Sequence, residues 1–207
     1  MENKLISDIL TNEEIQEILN LVNKEKESRP YTYFEAAQEG AEYKKDVKVY
    51  SKIGRLDIEK LEIPDSILDK FDNLPVYEGS EKSRINRAEV MYAEYSGKYG
   101  KSELRPHYDG GNSTYLLDYQ IASNTSWGIG IEDTVYEIKD NQALALSPVD
   151  QLHWRPVKDF KEDEYVSMLF FRFNEPKHMN TNRPVATQER LDEVMKISES
   201  YYKNGAN

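Results

Sequence analysis

A run of short strand-like segments separated by turn signals, from residue 84 to residue 173, most constrains what this chain can fold into. These segments are rich in β-branched and aromatic residues, and turn-forming pairs such as Gly110-Gly111 and Asp140-Asn141 divide them. They comprise residues 87–95, 114–121, 127–131, 135–138, 143–146, 152–157 and 165–173. Because no helical pattern intervenes, neighbouring strands must pair antiparallel. The sequence therefore predicts a mainly β fold, a double-stranded β-helix (jelly-roll) barrel of about eight strands.

Helical patterns flank this β region on both sides. Residues 11–14 spell T-N-E-E, a capping box, and apolar residues at helical spacing follow as far as Ser28. A short helix is predicted around residues 67–71, and a C-terminal helix is predicted from Thr187. The C-terminal helix carries Leu191, Val194, Met195 and Ser198 on one face. We expect these helices to pack on the outside of the barrel.

The predicted organisation is one domain that spans residues 1–207. Residues 1–83 form an N-terminal helix and covering segments, residues 84–175 form the jelly-roll core, and residues 176–207 form a C-terminal loop and helix. Within the covering part, residues 31–55 are rich in tyrosine and charge. Such a segment is either a lid over a substrate or an ordinary surface layer on the sheet.

Charge and composition narrow the possible functions. A net charge of -11 and a pI near 4.9 oppose binding to phosphate backbones, so no nucleic-acid partner is expected. No apolar run approaches the ~18–20 residues that span a bilayer, and no signal-peptide pattern is present, so we expect a cytoplasmic protein without membrane attachment. With no cysteine and only 3 histidines, any metal site must use His, Asp or Glu.

The residues that could hold a metal lie in two segments. Residues 104–111 spell L-R-P-H-Y-D-G-G, in which His107 and Asp109 are one residue apart and share a face of an extended strand. His153 lies on a later predicted strand, which a barrel can bring alongside. Two imidazoles and one carboxylate form the facial triad that suits Fe(II) and leaves positions open for oxygen. An H-x-D triplet alone also occurs by chance, and His178 is interpreted as solvent-facing.

Residues 95–173 resemble the Fe(II)/2-oxoglutarate-dependent dioxygenases, and most closely the prolyl 4-hydroxylase-like branch. Tyr95-Ser96-Gly97 precedes the H-x-D triplet, and residues 140–144, D-N-Q-A-L, stand where that family has a turn of the G-D-A-L type. Residues 152–157, L-H-W-R-P-V, are similar to the strand of the distal histidine. Residues 165–173 are similar to the closing strand.

The resemblance implies a site and a reaction. His107, Asp109 and His153 would bind Fe(II), with 2-oxoglutarate as co-substrate and O2 as oxidant. The reaction would release succinate and CO2 and would hydroxylate a small molecule or a peptidyl amino-acid side chain. The carboxylate of Asp109 favours hydroxylation, because halogenating members of the superfamily have a small residue at that position.

One position departs from the family pattern. A basic residue usually stands on the closing strand, two positions before a small polar residue, and pairs with the distal carboxylate of 2-oxoglutarate. Ser167 matches the small residue, but Tyr165 stands where the cation is expected. Arg155 is the first candidate replacement, because it lies two residues after His153 and shares that face of a regular strand.

Other residues could contribute to the co-substrate site. Arg172 is the second candidate cation, although alternation from Ser167 places it on the opposite face unless a bulge intervenes. Arg105 and Arg87 are further options. Tyr95 and Tyr165 could each donate a hydrogen bond to the co-substrate, or could be packed core aromatics.

The substrate itself is not predicted beyond its class, and neither is the oligomeric state. Residues 118–120 and 124–127 lie beside the predicted metal site, and Trp127 and Trp154 either wall a pocket or belong to the core. One alternative function is a cupin-like metalloenzyme that does not use 2-oxoglutarate. Another is a metal-binding module without catalysis, which the complete set of three ligands disfavours.

Overall fold

The computed structural model describes residues 3–28, 34–39, 50–75, 84–99, 102–109, 115–174 and 186–201, with the backbone alone for 34–39, 50–54, 103 and 174. Three α-helices lie in these residues, namely α1 (Asn12–Ser28), α2 (Asp65–Asp72) and α3 (Gln188–Tyr201). The strands before the candidate site are β1 (Lys4–Ser7), β2 (Phe34–Glu39), β3 (Tyr50–Ile58), β4 (Arg84–Ile85) and β5 (Met91–Ser96). The remaining strands are β6 (Ser102–His107), β7 (Leu116–Ser123), β8 (Ile129–Ile131), β9 (Thr134–Tyr136), β10 (Gln142–Leu146), β11 (His153–Lys158) and β12 (Tyr165–Asn174).

The described strands form two antiparallel sheets. The larger sheet has the order β1-β10-β7-β12-β5-β3-β2, with β4 added beside β12, and the smaller has the order β6-β11-β8-β9. The order departs from chain order at nearly every step, as a jelly roll requires. The predicted mainly β, jelly-roll architecture is confirmed as two packed sheets rather than as a closed barrel.

Alternation along the strands sorts side chains between two apolar layers. On β12, Val166 and Met168 face the smaller sheet, whereas Leu169 and Phe171 face the opposite way. The first pair packs in a core between the sheets that includes Trp127. The second pair packs in a core between the larger sheet and the helices α1 and α2. A residue's position, odd or even along β12, therefore decides whether it faces the space between the sheets.

The helices cover the outer faces of the sheets, as the sequence predicts. The capping box of α1 is present: Glu14 N donates to Thr11 Oγ1 at 3.3 Å and Thr11 N donates to Glu14 Oε2 at 2.8 Å. On α2, the ring of Phe71 lies 4.4 Å from that of Phe171, measured between centroids. Helix α3 packs on the smaller sheet, where it meets Trp154.

The predicted start of one strand needs correction. Residues 87–95 are predicted as one strand, but Arg87–Glu89 form a 3-10 turn that Asn86 caps, and the strand begins only at Met91. The Arg87 side chain makes ion pairs with three aspartates of α2, so this segment fastens a helix instead of extending the sheet. At the ends of the larger sheet lie β1 on one side and β3 with β2 on the other.

Several predicted features lie outside the described residues. They are the Gly110-Gly111 turn, His178 and most of the segment 31–49. The division of the chain into one domain with the stated boundaries stays a prediction. Among the described helices, none combines the length and apolar character that a membrane crossing needs.

Candidate metal centre

The three predicted ligands come from the edges of two neighbouring strands. His107 ends β6 and His153 begins β11, and the two residues are cross-strand partners in the smaller sheet. Asp109 follows β6, and its backbone N–H donates to Pro148 O at 2.8 Å, which holds this residue beside the start of β11. One ligand atom from each of the three side chains lies within 4.8 Å of the other two. The structure therefore brings together the set that the sequence proposed.

Hydrogen bonds fix which ring nitrogen of each histidine faces Asp109. His107 Nδ1 lies 2.8 Å from Arg105 O, and His153 Nδ1 lies 3.2 Å from Gln151 O. Because a carbonyl oxygen only accepts, both Nδ1 atoms must carry hydrogen, and in a neutral ring Nε2 then presents a lone pair. The two Nε2 atoms lie 3.4 and 3.5 Å from Asp109 Oδ1. Three electron-rich atoms thus face one point, an arrangement that calls for a cation between them.

The local electrostatics favour a metal over a proton at that point. Burial lowers the pKa of His153, and neighbouring His107 lowers it further against the opposing effect of Asp109. Burial opposes ionisation of Asp109, but when Nε2 of His107 and His153 carry hydrogen, their hydrogen bonds and charge hold its pKa well below the usual range, so positive charge at this point stabilises the carboxylate. Metal–ligand bonds of about 2.1 Å place neighbouring donor atoms about 3 Å apart, close to the spacing seen here. The residues present therefore fit a divalent metal of the facial-triad type.

The triad lies in the wall of a cavity of about 490 Å³ between the two sheets. Among the described residues, eight charged side chains line this cavity, four cations and four acids, and Asp109 of the triad is one of the acids. The cations are Arg55, Lys60, Arg155 and Arg172. The acids are Glu59, Glu89, Asp109 and Asp118. The described wall therefore carries no net formal charge, whereas the whole chain carries -11, so an anionic ligand meets less repulsion in this cavity than over the rest of the protein.

The most deeply buried of these cations is Arg155. Its side chain is only 2% exposed, and its guanidinium carbon lies 4.7 Å from the centroid of the Trp127 ring. It donates to Trp127 O at 3.3 Å and lies 3.5 Å from Asp118 Oδ2. Both contacts are long, so the guanidinium retains capacity for a further acceptor. As predicted, Arg155 shares the cavity-facing side of β11 with His153.

Tyr95 also lines the cavity, and a cation that the sequence did not single out holds it. Arg55, opposite Tyr95 in the β3–β5 pairing, donates from Nη1 to Tyr95 Oη at 3.1 Å. Arg55 Nε also lies 2.7 Å from Asp57 Oδ1. Because a guanidinium only donates, the Tyr95 hydroxyl accepts this bond and keeps its own proton for another partner. The signal that could have found Arg55 is the alternation I-G-R-L-D-I over residues 53–58, which predicts a strand.

Two of the predicted co-substrate residues face away from the cavity. Ser167 is buried on the opposite side of β12, where its Oγ accepts from Tyr92 Oη at 3.1 Å. Tyr165 has the same parity, and among the described residues neither belongs to the cavity wall. Arg172 has the other parity and does line the cavity, with Nη2 3.6 Å from Asp109 Oδ2. Ser167 and Arg172 thus lie on opposite faces of β12, as alternation predicts, but Ser167 lies on the outer face and Arg172 on the inner one.

The remaining candidates take structural positions. Arg87 binds α2, as described above, and Arg105 contributes its backbone carbonyl to His107 but does not line the cavity among the described residues. Trp127 makes an edge-to-face contact with Tyr95, with ring centroids 4.6 Å apart, and its ring lies against the guanidinium of Arg155. Trp154 points to the other face of β11 and packs against α3. Of the two tryptophans, only Trp127 therefore touches cavity-lining side chains.

The fold and the site define a class: a jelly-roll protein with a candidate two-histidine, one-carboxylate metal centre between its sheets. Solved structures with this fold include a prolyl hydroxylase from Trichoplax adhaerens in complex with a hypoxia inducible factor oxygen degradation domain peptide fragment, at 14% identity and a TM-score of 0.52, with 83% of each chain covered. A Pseudomonas putida prolyl-4-hydroxylase is similar at 11% identity and a TM-score of 0.53, with 84% of this chain and 93% of that chain covered. At these identities the likeness shows the fold. No protein-family model and no curated protein matches the sequence.

Proposed function

We propose that this chain is an Fe(II)- and 2-oxoglutarate-dependent dioxygenase that hydroxylates a small molecule or a peptidyl amino-acid side chain. The observation that carries the proposal is the convergence of His107 Nε2, His153 Nε2 and Asp109 Oδ1 in a cavity whose wall also holds the buried Arg155. The fold that the chain shares with prolyl hydroxylases supports it.

Each side chain has a part in this proposal. His107, His153 and Asp109 would hold Fe(II), which when bound supplies the oxidative chemistry that protein groups lack. The Nδ1–H bonds to Arg105 O and Gln151 O hold the imidazoles in the tautomer that ligation needs. Arg172 would keep Asp109 Oδ2 turned away from the metal, which leaves Oδ1 as the ligand atom.

Arg155 would bind the distal carboxylate of 2-oxoglutarate in place of the cation that the closing strand lacks. It shares a strand face with His153, so one elongated dianion could reach both the metal and the guanidinium. Its burial strengthens a charge-assisted hydrogen bond by excluding water. Tyr95, held by Arg55, would offer its hydroxyl proton to the same co-substrate. Tyr165 and Ser167, both predicted as co-substrate residues, have no part in the proposal.

The proposal does not choose the substrate within its class. The Trichoplax relative is described with a peptide fragment bound, which is consistent with a peptidyl substrate. A cavity of about 490 Å³ also suits a small metabolite.

The test is an anaerobic titration. Purified protein would receive Fe(II) and then 2-oxoglutarate, and the weak visible charge-transfer band of the chelate would be recorded, followed by succinate release once oxygen is admitted. We expect the band in the wild type and in Arg84→Ala, a control that removes an exposed arginine on β4. We expect no band in His107→Ala and a co-substrate affinity at least tenfold weaker in Arg155→Ala.

The outcomes separate the parts of the proposal. Failure of the wild type to bind iron would overturn the metal centre. Iron binding at the triad without a band would refute 2-oxoglutarate and favour a metalloenzyme that takes electrons from its substrate. A normal band in Arg155→Ala at unchanged affinity would refute only the role of Arg155.

A further inference from the structure

Beside Arg155, the cavity contains a buried carboxylate that the proposed reaction does not use. Asp118 lies on β7, lines the cavity, and its side chain is 3% exposed. Its Oδ2 lies 3.5 Å from Arg155 Nη2, and its Oδ1 is buried without a hydrogen-bond partner among the described residues. Buried carboxylate oxygens are nearly always hydrogen-bonded in native proteins. An unsatisfied oxygen that lines a ligand cavity therefore points to a ligand.

The charges around Asp118 come from three directions. Arg155 faces it from β11, Arg172 from β12 and Asp109 from the segment after β6, whereas the residue beside it on β10 is Leu144. Burial raises the pKa of Asp118 to about 6, although Arg155 opposes this change. In the protein without metal, Asp118 thus gains or loses its proton near pH 6.

The proposed co-substrate would bring a second carboxylate to the same guanidinium. If both carboxylates were ionised, two like charges would share one cation in a buried site, and their repulsion would oppose binding. One proton held between the two carboxyl groups removes this conflict, because adjacent carboxyls in a buried site hold a shared proton strongly. Asp118 Oδ1 is free to take part in such a bond.

We propose that Asp118 shares a proton with the distal carboxylate of 2-oxoglutarate over the guanidinium of Arg155, so that binding of the co-substrate takes up one proton. This inference rests on the proposed function, and it makes Asp118 a specificity-determining residue. The subsite selects a terminal carboxyl group that can both accept from Arg155 and share a proton with Asp118. A 2-oxo acid without that group gains nothing from the subsite.

The proton makes binding depend on pH in a defined direction. Below the pKa of Asp118 in the metal-loaded protein, Asp118 is already protonated before 2-oxoglutarate binds, so the Kd for 2-oxoglutarate is constant. Above that pH the free protein must take up a proton to bind, and the Kd rises about tenfold per pH unit until the pKa of the shared proton in the complex is reached. Asp118→Asn offers a neutral amide that donates to the carboxylate, and its Kd should not vary in this way.

The experiment is isothermal titration calorimetry of the full chain loaded with Mn(II), a redox-stable replacement for Fe(II), with 2-oxoglutarate as the probe. Titrations at pH 7.5 in two buffers of different ionisation enthalpy measure the protons exchanged. The control probe is 2-oxobutyrate, which has the same metal-binding end but no distal carboxylate. The difference between the proton uptakes measured with the two ligands therefore excludes any proton exchanged at the metal. We expect an uptake close to one proton for 2-oxoglutarate relative to 2-oxobutyrate in the wild type, and close to zero in Asp118→Asn.

Failure of this inference differs from failure of the proposed function. If 2-oxoglutarate binds the wild type with the same proton exchange as 2-oxobutyrate and a Kd that is flat from pH 6 to 8, the shared proton is refuted and the co-substrate assignment stands. If 2-oxoglutarate does not bind at any pH, both are overturned. Should Asp118→Asn fail to fold, the two-buffer comparison on the wild type still decides the question.

Discussion

Asn141 lies in the turn directly before β10, and its replacement should lower the free energy of unfolding of the protein. Its backbone φ is 59°, a left-handed conformation that asparagine and glycine tolerate better than alanine. Its Oδ1 accepts from Leu10 N at 3.0 Å and from Tyr119 Oη at 3.0 Å, and its Nδ2 donates to Leu10 O at 2.8 Å. One side chain therefore fastens the chain entering α1 to the larger sheet.

The cost of Asn141→Ala follows from these contacts. Three part-buried hydrogen bonds contribute about 1 kcal/mol each to the free energy of unfolding. A left-handed alanine costs about 1 kcal/mol more, so the expected loss is about 4 kcal/mol. Asn141→Gly loses the same hydrogen bonds but adopts this φ without strain. Glycine also loses more conformational entropy on folding than alanine, which offsets part of the strain energy that is avoided. We expect the glycine variant to lie between alanine and the wild type.

Urea denaturation followed by tryptophan fluorescence would measure these changes as shifts in the midpoint at constant m. Arg84→Ala, at an exposed position on β4, is a suitable control and should change stability by less than about 0.5 kcal/mol. A loss below about 1 kcal/mol in Asn141→Ala would contradict the assigned hydrogen bonds. Equal losses for alanine and glycine would contradict the assigned backbone strain.

Three further changes test other parts of the structure. The folded protein keeps the proton of Asp118 to about pH 6, whereas the unfolded chain loses it near 3.8. The wild type should therefore lose about 3 kcal/mol of stability relative to Asp118→Asn as the pH rises from about 4 to 7. Urea midpoints of both proteins across that range would measure the loss, and a parallel pH dependence of the two proteins would contradict it. Arg172→Gln should weaken Mn(II) binding about tenfold in a metal titration, with Arg172→Lys closer to the wild type, and equal affinities in all three proteins would refute its contact with Asp109. A Cβ at Gly130 would overlap the buried Trp154 ring, so Gly130→Ala should cost about 1–3 kcal/mol and alter tryptophan fluorescence, whereas an unchanged spectrum and stability would show that the ring moves freely.

Local signals in the sequence predicted the local structure. The capping box at Thr11 and Glu14 starts α1 because its two hydrogen bonds form between residues three apart. The runs that become β7, β10, β11 and β12 were found within a residue or two, because alternation and turn residues are properties of a short segment. The candidate metal ligands could be selected for a similar reason, since His107 and Asp109 are nearly adjacent and few histidines compete with His153; their role as ligands stays a prediction.

Features that depend on pairing between distant segments were missed. The segment Arg87–Glu89 precedes a strand directly, yet it forms a 3-10 turn in which Arg87 makes ion pairs with three aspartates of α2. Strands β1 and β3 were not predicted as part of the core sheet, because their partners β10 and β5 lie far away in the chain. Arg55 therefore escaped notice, although its strand places it directly opposite Tyr95.

Strand β12 shows why a correct periodicity did not identify which of its residues face the cavity. Alternation fixes that Ser167 and Arg172 lie on opposite faces, but it does not say which face is inner. The outer face is nearly as apolar as the inner one, because α1 and α2 bury it, so hydrophobicity along β12 does not distinguish them. Which face of β12 is the inner one depends on contacts with other elements. Ser167 forms a hydrogen bond with Tyr92 on the outer face, and Arg172 lies beside Asp109 on the inner face. With Tyr165 and Ser167 turned outward, the cations in the described wall of the cavity are Arg55 on β3, Lys60 after β3, Arg155 on β11 and Arg172 on β12, and of these Arg155 forms an ion pair with Asp118.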